Sequence, residues 1–310
     1  MIVAGPRQIL RRPAPWLGAG IAALIALPNV WWQATNGWPQ LALSAAIAAG
    51  GSGTSSERWL IVPFQVLLLG PPIFVVAIAG LRALVRDPRI RAHRYLAVAV
   101  VALVLLVTVT GGKPYYLLGL APAVLAAGAA PTTRWLRRGG WRPLLAGGLA
   151  VVQLAISMVI GLPLLPPDAL EPVVAVNYDA GEQVGWPALV DSVTRAAAGL
   201  PEDAVTLAAN YGEAGALEAA RRRGHPVPAV VSPHNGWWWW GPPPAEADHA
   251  IVIGDWDDAE LEQLFATCEI VARVDNGVDL DNEEQDAPVR RCSDLVTPWA
   301  TMWPRLQRLG

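Results

Sequence analysis

Long apolar runs, separated by short and mostly basic stretches, fill the first half of the chain. Five of these runs approach the ~20 residues that a helix needs to cross the hydrocarbon core of a bilayer. Spans are predicted near residues 16–32, 59–81, 95–110, 115–131 and 143–163. Gly70-Pro71-Pro72 predicts a kink inside the second span, because proline lacks the amide hydrogen that a continuous helix uses. The glycine- and serine-rich stretch 50–56 predicts a flexible connection before that span.

After residue 163 the pattern changes to short apolar strands that alternate with amphipathic helices. Helices are predicted over 182–199, from the segment 210–216 to about Arg223, and over 257–266. Strands are predicted at 205–209, 229–232, 250–254, 271–274 and 289–292. Alternation of this kind predicts a mainly parallel sheet covered by helices. The sequence therefore predicts an α-helical membrane domain of about five transmembrane helices at 1–163, followed by a soluble α/β domain at 164–310.

Charge separates the same two halves. Residues 1–163 carry 13 arginines and one lysine against two acids, a formal charge of +12, whereas residues 164–310 carry 9 arginines against 24 acids, a formal charge of −15. The arginines of the first half cluster before the first predicted span, after the second and after the fourth. By the positive-inside rule these clusters are cytoplasmic. We therefore expect an integral plasma-membrane protein with a cytoplasmic N-terminus and an extracytoplasmic C-terminal domain.

The stretch Gly111–Tyr116 lies between the third and fourth apolar runs and contains Lys113, the only lysine of the chain. A charge at the end of a span is costly unless it meets an interface or a partner, so Lys113 is a functional candidate. The two glycines and Pro114 end one helix and start another, which predicts a tight hairpin. A lysine that snorkels to the interface beside Tyr115 and Tyr116 is the alternative, and the stretch alone fits both interpretations equally.

Polar side chains follow two of the strands predicted in the second half. Asn210, Tyr211 and Glu213 come directly after the strand at 205–209, and His234 and Asn235 follow the next strand. In open α/β sheets ligands bind beyond the carboxyl ends of the strands. These residues are therefore candidate ligand contacts.

Four consecutive tryptophans, at 237–240, are the most unusual local feature of the second half. On an extended segment their rings would alternate between two faces. Indole rings beside polar groups suit the face of a sugar, whereas packing against the domain or resting on the bilayer are the alternatives. The four histidines of the chain show no metal-ligand spacing, so we predict no metal site and no cofactor.

Cys268 and Cys292 are the only two cysteines, and both fall in the half that we expect outside the cytoplasm. An oxidising compartment favours a disulfide, and two neighbouring late strands would bring these residues together. We therefore predict a Cys268–Cys292 disulfide, with two separate thiols as the alternative.

Several motifs together resemble the C-terminal portion of membrane glycosyltransferases of the GT-C type. The resemblance is to the family 39/83 group, which contains protein mannosyltransferases and aminoarabinose transferases, and it covers nearly the whole chain. The motifs are Leu27-Pro28-Asn29-Val30-Trp31-Trp32-Gln33, Asn36-Gly37-Trp38-Pro39, Gly112-Lys113-Pro114-Tyr115-Tyr116, Asn210-Tyr211-Gly212-Glu213-Ala214-Gly215-Ala216, Ser232-Pro233-His234-Asn235 and Trp240-Gly241-Pro242.

This resemblance implies the transfer of a sugar from a polyprenyl-phosphate donor to an extracytoplasmic acceptor. Membrane lipid is then the expected surrounding, and no nucleic-acid partner is expected. The lipid phosphate would be bound by Lys113, Tyr115 and Tyr116. The residues expected near the sugar or acceptor are Asn210, Tyr211, Glu213, His234, Asn235 and Trp240.

One departure from the family is large. Family members carry a catalytic acid in an early extracytoplasmic loop, whereas Glu57 is the only acid in any predicted outside loop of the membrane half, and its setting beside Arg58 does not match. We therefore assign no catalytic residue and expect that the N-terminal catalytic half is absent, as in a truncated reading, a split gene or a degenerate copy. A separate N-terminal half or a homologous subunit would then be a partner.

Two other functions remain open on the sequence. A non-catalytic sugar-binding or partner subunit would keep the family fold without the catalytic acid. A segment of a transporter or channel is less favoured, because the five predicted spans show no internal repeat.

Overall fold

The computed structural model describes residues 7–50 and 57–310 and is mostly helical. The chain forms two compact units, one extending to Leu154 and including residues 309–310, the other covering Ala155–Arg308. Of the flexible connection predicted at 50–56, only Gly50 lies within the described residues.

Helices make up almost all of the first unit, and the last of them runs across the boundary between the units. They are α1 (Pro13–Thr35), α2 (Pro39–Ala49), α3 (Phe64–Leu69), α4 (Pro71–Arg86), α5 (Arg94–Thr110), α6 (Ala121–Leu136) and α7 (Arg142–Gly161). Short 3-10 helices, Pro88–His93 and Pro114–Leu120, lead into α5 and α6.

Four helical stretches among the described residues are long and apolar enough to cross a membrane, which indicates a membrane protein. They are Pro13–Thr35, Pro88–Thr110, Pro114–Leu136 and Arg142–Gly161. The number of five predicted spans is not confirmed, since the second, predicted at 59–81, is broken into α3 and α4 at Gly70. Gly70 has a φ of +74°, and the next two residues are prolines without amide hydrogens, so the helix cannot continue through this point.

Two glutamines lie at positions where the helices of the first unit are interrupted. The side-chain amide of Gln65 donates to the carbonyl oxygens of Ile61 and Pro114, both at 2.9 Å. Gln153 of α7 lies against Gly70, where a Cβ atom would meet the glutamine side chain at 2.0 Å. Polar side chains from neighbouring helices are a usual means of tolerating a broken helix at membrane depth.

Helices α4 and α6 pack against each other through glycines. A Cβ atom on Gly80 would lie 2.0 Å from the carbonyl oxygen of Val124, and one on Gly128 would lie 2.3 Å from that of Val76. The two backbones are therefore in direct contact, as in membrane helix pairs with small residues at the interface.

The second unit contains a five-stranded sheet and five α-helices. The strands are β1 (Val205–Ala208), β2 (Ala229–Val231), β3 (His249–Ile253), β4 (Phe265–Arg273) and β5 (Pro288–Leu295), in the order β2-β1-β3-β5-β4. The helices are α8 (Glu171–Val174), α9 (Trp186–Ala197), α10 (Tyr211–Arg222), α11 (Asp258–Leu264) and α12 (Trp299–Leu306).

The sheet is mixed, so the prediction of a mainly parallel sheet is not confirmed. β1 pairs in parallel with β2 and β3, whereas β5 pairs antiparallel with both β3 and β4. Parallel neighbours need a crossover connection, usually a helix. The segment 274–287 between β4 and β5 contains no helix, so these two strands pair in the antiparallel direction.

Side chains from the two faces of the sheet form two separate hydrophobic clusters. On one face α11 and α12 cover the sheet, and Trp299 and Trp303 are buried there. On the other face α9 and α10 pack against alternate residues of the same strands, including Ile251 and Ile253. The predicted disulfide is present, since Cys268 and Cys292 lie opposite each other on β4 and β5 and their sulfur atoms are bonded.

Candidate functional site

The hairpin that carries Lys113 is held by contacts with other segments of the first unit. Gly111, with a φ of +67°, ends α5 and leaves so little space that a Cβ atom would lie 3.2 Å from the carbonyl oxygen of Ile47. The hydrogen bond from Gln65 to Pro114 fixes the other side of the turn. Lys113 itself is half-buried and precedes the 3-10 helix that begins at Pro114.

Tyr115 and Tyr116 follow Lys113 directly, and about half of each side chain is exposed. Their rings contact each other edge to face, with centroids 5.0 Å apart. The Tyr116 ring also covers Gly112, where a Cβ atom would lie 3.0 Å from it. Of the three residues predicted to bind a lipid phosphate, the two tyrosines contact each other and directly follow Lys113 in the chain.

In the second unit, Asn210 and Glu213 form a capping box at the start of α10. The side-chain oxygen of Asn210 accepts from the Glu213 amide at 2.9 Å, and the Glu213 carboxylate accepts from the Asn210 amide at 3.1 Å. Reciprocal bonds of this kind satisfy two backbone amides that the helix leaves without partners. Both side chains thus have a structural role at the carboxyl end of β1, and their contact with a sugar remains a prediction.

The Glu213 carboxyl points into the protein, and only 2% of the residue is exposed. Gly254 makes this possible, because a Cβ atom there would lie 2.2 Å from the Glu213 Oε1 atom. Burial, and after it the negative charge of Glu284, raise the pKa of Glu213 from 4.5 to about 8. This shift favours the protonated form of Glu213 at neutral pH.

Glu284 carries a second buried carboxyl group, which no sequence pattern marks as a candidate. It is 1% exposed, and its Oε2 atom has no hydrogen-bond partner among the residues that the structure describes. Burial, followed by the charges of Glu182 and Glu283, raises its pKa to about 7. In the sequence Glu284 stands in a polar, acidic segment without an apolar pattern, so it resembles a solvated loop residue.

Tyr211, His234 and Asn235 come together beyond the carboxyl ends of β1 and β2. The backbone amide of Tyr211 donates to His234 Nδ1 at 3.3 Å, and the two rings are 5.0 Å apart. Because Nδ1 accepts this bond, the neutral ring carries its proton on Nε2, which lies 3.1 Å from the Asn235 side-chain amide. When the nitrogen and oxygen of the Asn235 side-chain amide exchange places, the oxygen accepts a hydrogen bond from the proton on Nε2.

The C-terminal segment supports this cluster from one side. The backbone amide of Asn235 donates to the backbone carbonyl of Arg308 at 2.9 Å, and the backbone amide of Arg308 donates to the backbone carbonyl of Pro233 at 3.0 Å. The Arg308 guanidinium lies 4.1 Å from the centre of the Trp256 ring and forms an ion pair of 2.6 Å with Glu260. No local sequence pattern marks Arg308 as part of this cluster, because its position depends on long-range packing.

The four tryptophans lie on a 3-10 helix, Asn235–Trp240, so the expected alternation of an extended segment is wrong. Side chains three residues apart overlie each other on such a helix, and Trp237 and Trp240 accordingly stack with ring centroids 4.4 Å apart. Trp240 is 72% exposed, whereas Trp238 packs against the hydrophobic core and exchanges indole-to-carbonyl hydrogen bonds with Trp303. The segment thus combines core packing with one exposed indole face.

Taken by itself, the second unit presents a histidine, an amide and the exposed rings of Tyr211 and Trp240 at or near one edge of its sheet. Such groups can hydrogen-bond hydroxyls and cover the apolar face of a sugar. A cleft of about 380 Å³ lies elsewhere, along residues 273–286, and contains none of the predicted sugar contacts. Within residues 7–50 and 57–310, no group of three or more histidine, cysteine or acidic side chains is arranged to hold a metal ion.

Comparison of the chain with protein-family profiles, with curated proteins and with solved structures found no match.

Proposed function

We propose that the chain is part of an integral membrane glycosyltransferase that moves a sugar from a polyprenyl-phosphate donor to an extracytoplasmic acceptor. The observation that carries the proposal is the cluster of Tyr211, His234 and Asn235 beyond the carboxyl ends of two parallel strands. These residues belong to motifs that resemble those of the family, and the fold brings them within hydrogen-bonding distance of one another. The exposed indole of Trp240 adds an apolar surface suited to a sugar ring.

Lys113 supplies the second part of the proposed chemistry. Departure of a sugar from a lipid phosphate leaves negative charge on the phosphate oxygens, and a fixed cation stabilises that charge as it develops. Lys113 lies in a hairpin fixed by Gln65 and by the close approach of Gly111 to α2, with two tyrosine side chains beside it. In this proposal the tyrosine hydroxyls donate to phosphate oxygens.

Replacement of Lys113 tests this role. Lys113→Ala should reduce binding of polyprenyl phosphate to the full chain in detergent by about tenfold or more, as expected when a charge-assisted bond is lost. Lys113→Arg should restore binding only in part, because the guanidinium fork differs from a point charge. Arg305→Gln, an exposed change in the second unit, is the control. Binding that is unchanged in the alanine variant would reduce Lys113 to an interface anchor.

A non-catalytic sugar-binding subunit is the second candidate. It is favoured by one observation, that Glu57 and Asp87 are the only acids of residues 1–163. The side chain of Asp87 accepts a hydrogen bond from the Arg89 amide at the start of a 3-10 helix. A chain that binds polyprenyl phosphate but transfers no sugar when donor and acceptor are both supplied would support this candidate.

The proposal places residues 164–310 outside the cytoplasm and the N-terminus inside. It follows from the arginine clusters, which by the positive-inside rule remain cytoplasmic. A reporter enzyme that is active only outside the cytoplasm should therefore be active when fused after residue 250 and inactive when fused after residue 90. The opposite pattern would overturn the orientation.

A further inference from the structure

The first unit carries a concentration of arginine at the ends of its helices that the proposed function does not use. Five arginines lie between residues 82 and 94, and four between residues 134 and 142. Asp87 is the only acid in these two segments. Its carboxylate accepts from the Arg89 amide, and none of the four ion pairs within residues 7–50 and 57–310 includes an arginine of either segment.

The packing of the helices places both segments at the same end of the unit. Contacts join α3 and α4 to the helical stretch 114–136 at four pairs of positions: 65 with 114, 76 with 128, 80 with 124 and 80 with 128. From the contact of Gln65 with Pro114 to the contact of Gly80 with Val124, the residue numbers rise in both segments, so residues 65–80 and 114–124 advance in the same direction. The segments after α4 and α6 therefore leave the helices on the same side. We call residues 82–94 and 134–142 together the arginine-rich end.

Two arginines of this end have donors that are withdrawn from solvent without a partner. The Nε atoms of Arg94 and Arg142 are buried and form no hydrogen bond with any described residue. A buried donor without an acceptor costs about 1–3 kcal/mol, and more when the group is charged. As whole residues Arg94 and Arg142 are only half-buried, so an acceptor from outside the protein can approach their guanidinium groups.

Arg94 and Arg142 are also the first residues of α5 and α7, and neither helix has an acidic residue in its first turn. The positive end of each helix dipole is thus left without a compensating charge from its own sequence. Aromatic side chains flank the second of these positions. Trp141, which is 63% exposed, contacts Trp135 edge to face, and the Arg142 guanidinium lies 5.8 Å from the Trp135 ring.

From these observations we infer that the arginine-rich end binds the phosphate headgroups of anionic glycerophospholipids, with Arg94 and Arg142 donating to phosphate oxygens. A phosphate group offers several acceptor oxygens and a full negative charge, which suits guanidinium donors. Exposed tryptophan beside arginine is typical of the headgroup level of a bilayer. The acyl chains would then lie along the exposed apolar side chains of the adjoining helices. The inference does not rest on the proposed sugar transfer.

The test uses the full chain in a nonionic detergent, with the thermal unfolding midpoint followed by tryptophan fluorescence. Phosphatidylglycerol, phosphatidylcholine and inorganic phosphate are titrated separately. We expect phosphatidylglycerol to raise the midpoint in a saturable manner and the other two to leave it unchanged. In the double variant Arg94→Gln/Arg142→Gln, the apparent affinity should fall about fivefold for each arginine, the factor that corresponds to ~1 kcal/mol per basic residue near an anionic surface.

A second pair of variants covers the case in which Arg94 and Arg142 are needed for folding. Arg137 and Arg138 are exposed, so Arg137→Gln/Arg138→Gln should fold and still weaken phosphatidylglycerol binding. Arg223→Gln/Arg305→Gln removes the same charge from exposed positions of the second unit and should leave phosphatidylglycerol binding unchanged. Equal stabilisation by phosphatidylcholine, stabilisation by inorganic phosphate, or equal weakening in the control would each overturn the inference. The Lys113→Ala variant should retain phosphatidylglycerol binding, which separates this site from the proposed donor site.

Discussion

The two units of the chain bury different kinds of group. In the first unit the closest contacts are between backbones, at Gly80 and Gly128, and most large apolar side chains are exposed. In the second unit apolar side chains fill two clusters on either side of a sheet, and two carboxyl groups are buried beside them. Large apolar side chains therefore lie mostly on the outer surface of the first unit and mostly in the core of the second. Burial in lipid and burial in protein leave similar compositions but opposite arrangements.

The units also differ in how they accommodate polar groups away from water. The first unit satisfies a backbone carbonyl near a helix break with the neutral side chain of Gln65. The second unit buries Glu213 and Glu284. No positively charged group is among the causes that shift the pKa of either carboxyl. A buried carboxyl without a cation avoids the cost of desolvation by binding a proton. The second unit is therefore expected to respond to pH where the first unit is not.

The largest effect is expected where the backbones of α4 and α6 touch. Gly80→Ala places a methyl group 2.0 Å from the carbonyl oxygen of Val124, and a backbone atom cannot move away as a flexible side chain would. We expect a loss of about 3 kcal/mol or more in the free energy of unfolding, at the upper end of what overpacking costs. The measurement is reversible unfolding of the full chain in mixed micelles.

The control for this prediction is the same substitution at Gly147, which lies in α7 with no atom within 4 Å of the new methyl group. Gly147→Ala should be neutral or stabilise the helix by up to ~1 kcal/mol, because alanine has the higher helix propensity. If the two variants have the same stability, α4 and α6 do not pack through their glycines, and the contrast between the units fails.

Much of the coarse structure is predictable from the sequence, because it depends on local pattern. The apolar runs near 16–32, 95–110 and 143–163 correspond to helices that the structure contains, and Gly70 interrupts the second run where the kink was predicted. The five strands appear near their predicted positions. The disulfide was predictable because the chain has only two cysteines and both fall in one half.

The remaining features depend on contacts between distant residues. The direction of β5 is not encoded in its own apolar pattern, and the missing crossover helix in 274–287 was the only available signal. Glu284 is buried because its segment packs against residues 181–184, to which the Asn282 side chain donates two hydrogen bonds of 2.9 Å. A hydrophobicity pattern cannot show that an acidic segment folds over another loop. In the candidate site, sequence identified His234 and Asn235 but missed Arg308, which lies more than 70 residues further along the chain.

The second and smaller effect concerns the buried carboxyl pair and pH. The pKa values of Glu213 and Glu284 are raised from 4.5 to about 8 and about 7, so the folded chain binds protons that the unfolded chain has released. Their contribution to stability is therefore fully present below about pH 4.5 and is lost as the pH rises through 7 to 8. Besides burial, the charges of Glu284 and Glu283 raise the pKa of Glu213, against backbone hydrogen bonds from Asn210 and Ala209 that lower it. The charges of Glu182 and Glu283 raise the pKa of Glu284.

Glu213→Gln removes one ionisable group from this pair while keeping an oxygen that can accept from the Asn210 amide. At pH 8 we expect the variant to be more stable than the parent by on the order of 2 kcal/mol, whereas near pH 5 the difference should nearly vanish. Hydrogen exchange of the peptides covering β1 and α10, corrected for the intrinsic effect of pH, measures this difference in stability without requiring the whole chain to unfold at once.

Glu246→Gln makes the same chemical change at an exposed position and should leave the exchange of these peptides unaltered at both pH values. A parent chain whose protection in β1 and α10 is the same at pH 5 and pH 8 would show that the carboxyl pair does not retain its protons. The two units would then not differ in their response to pH.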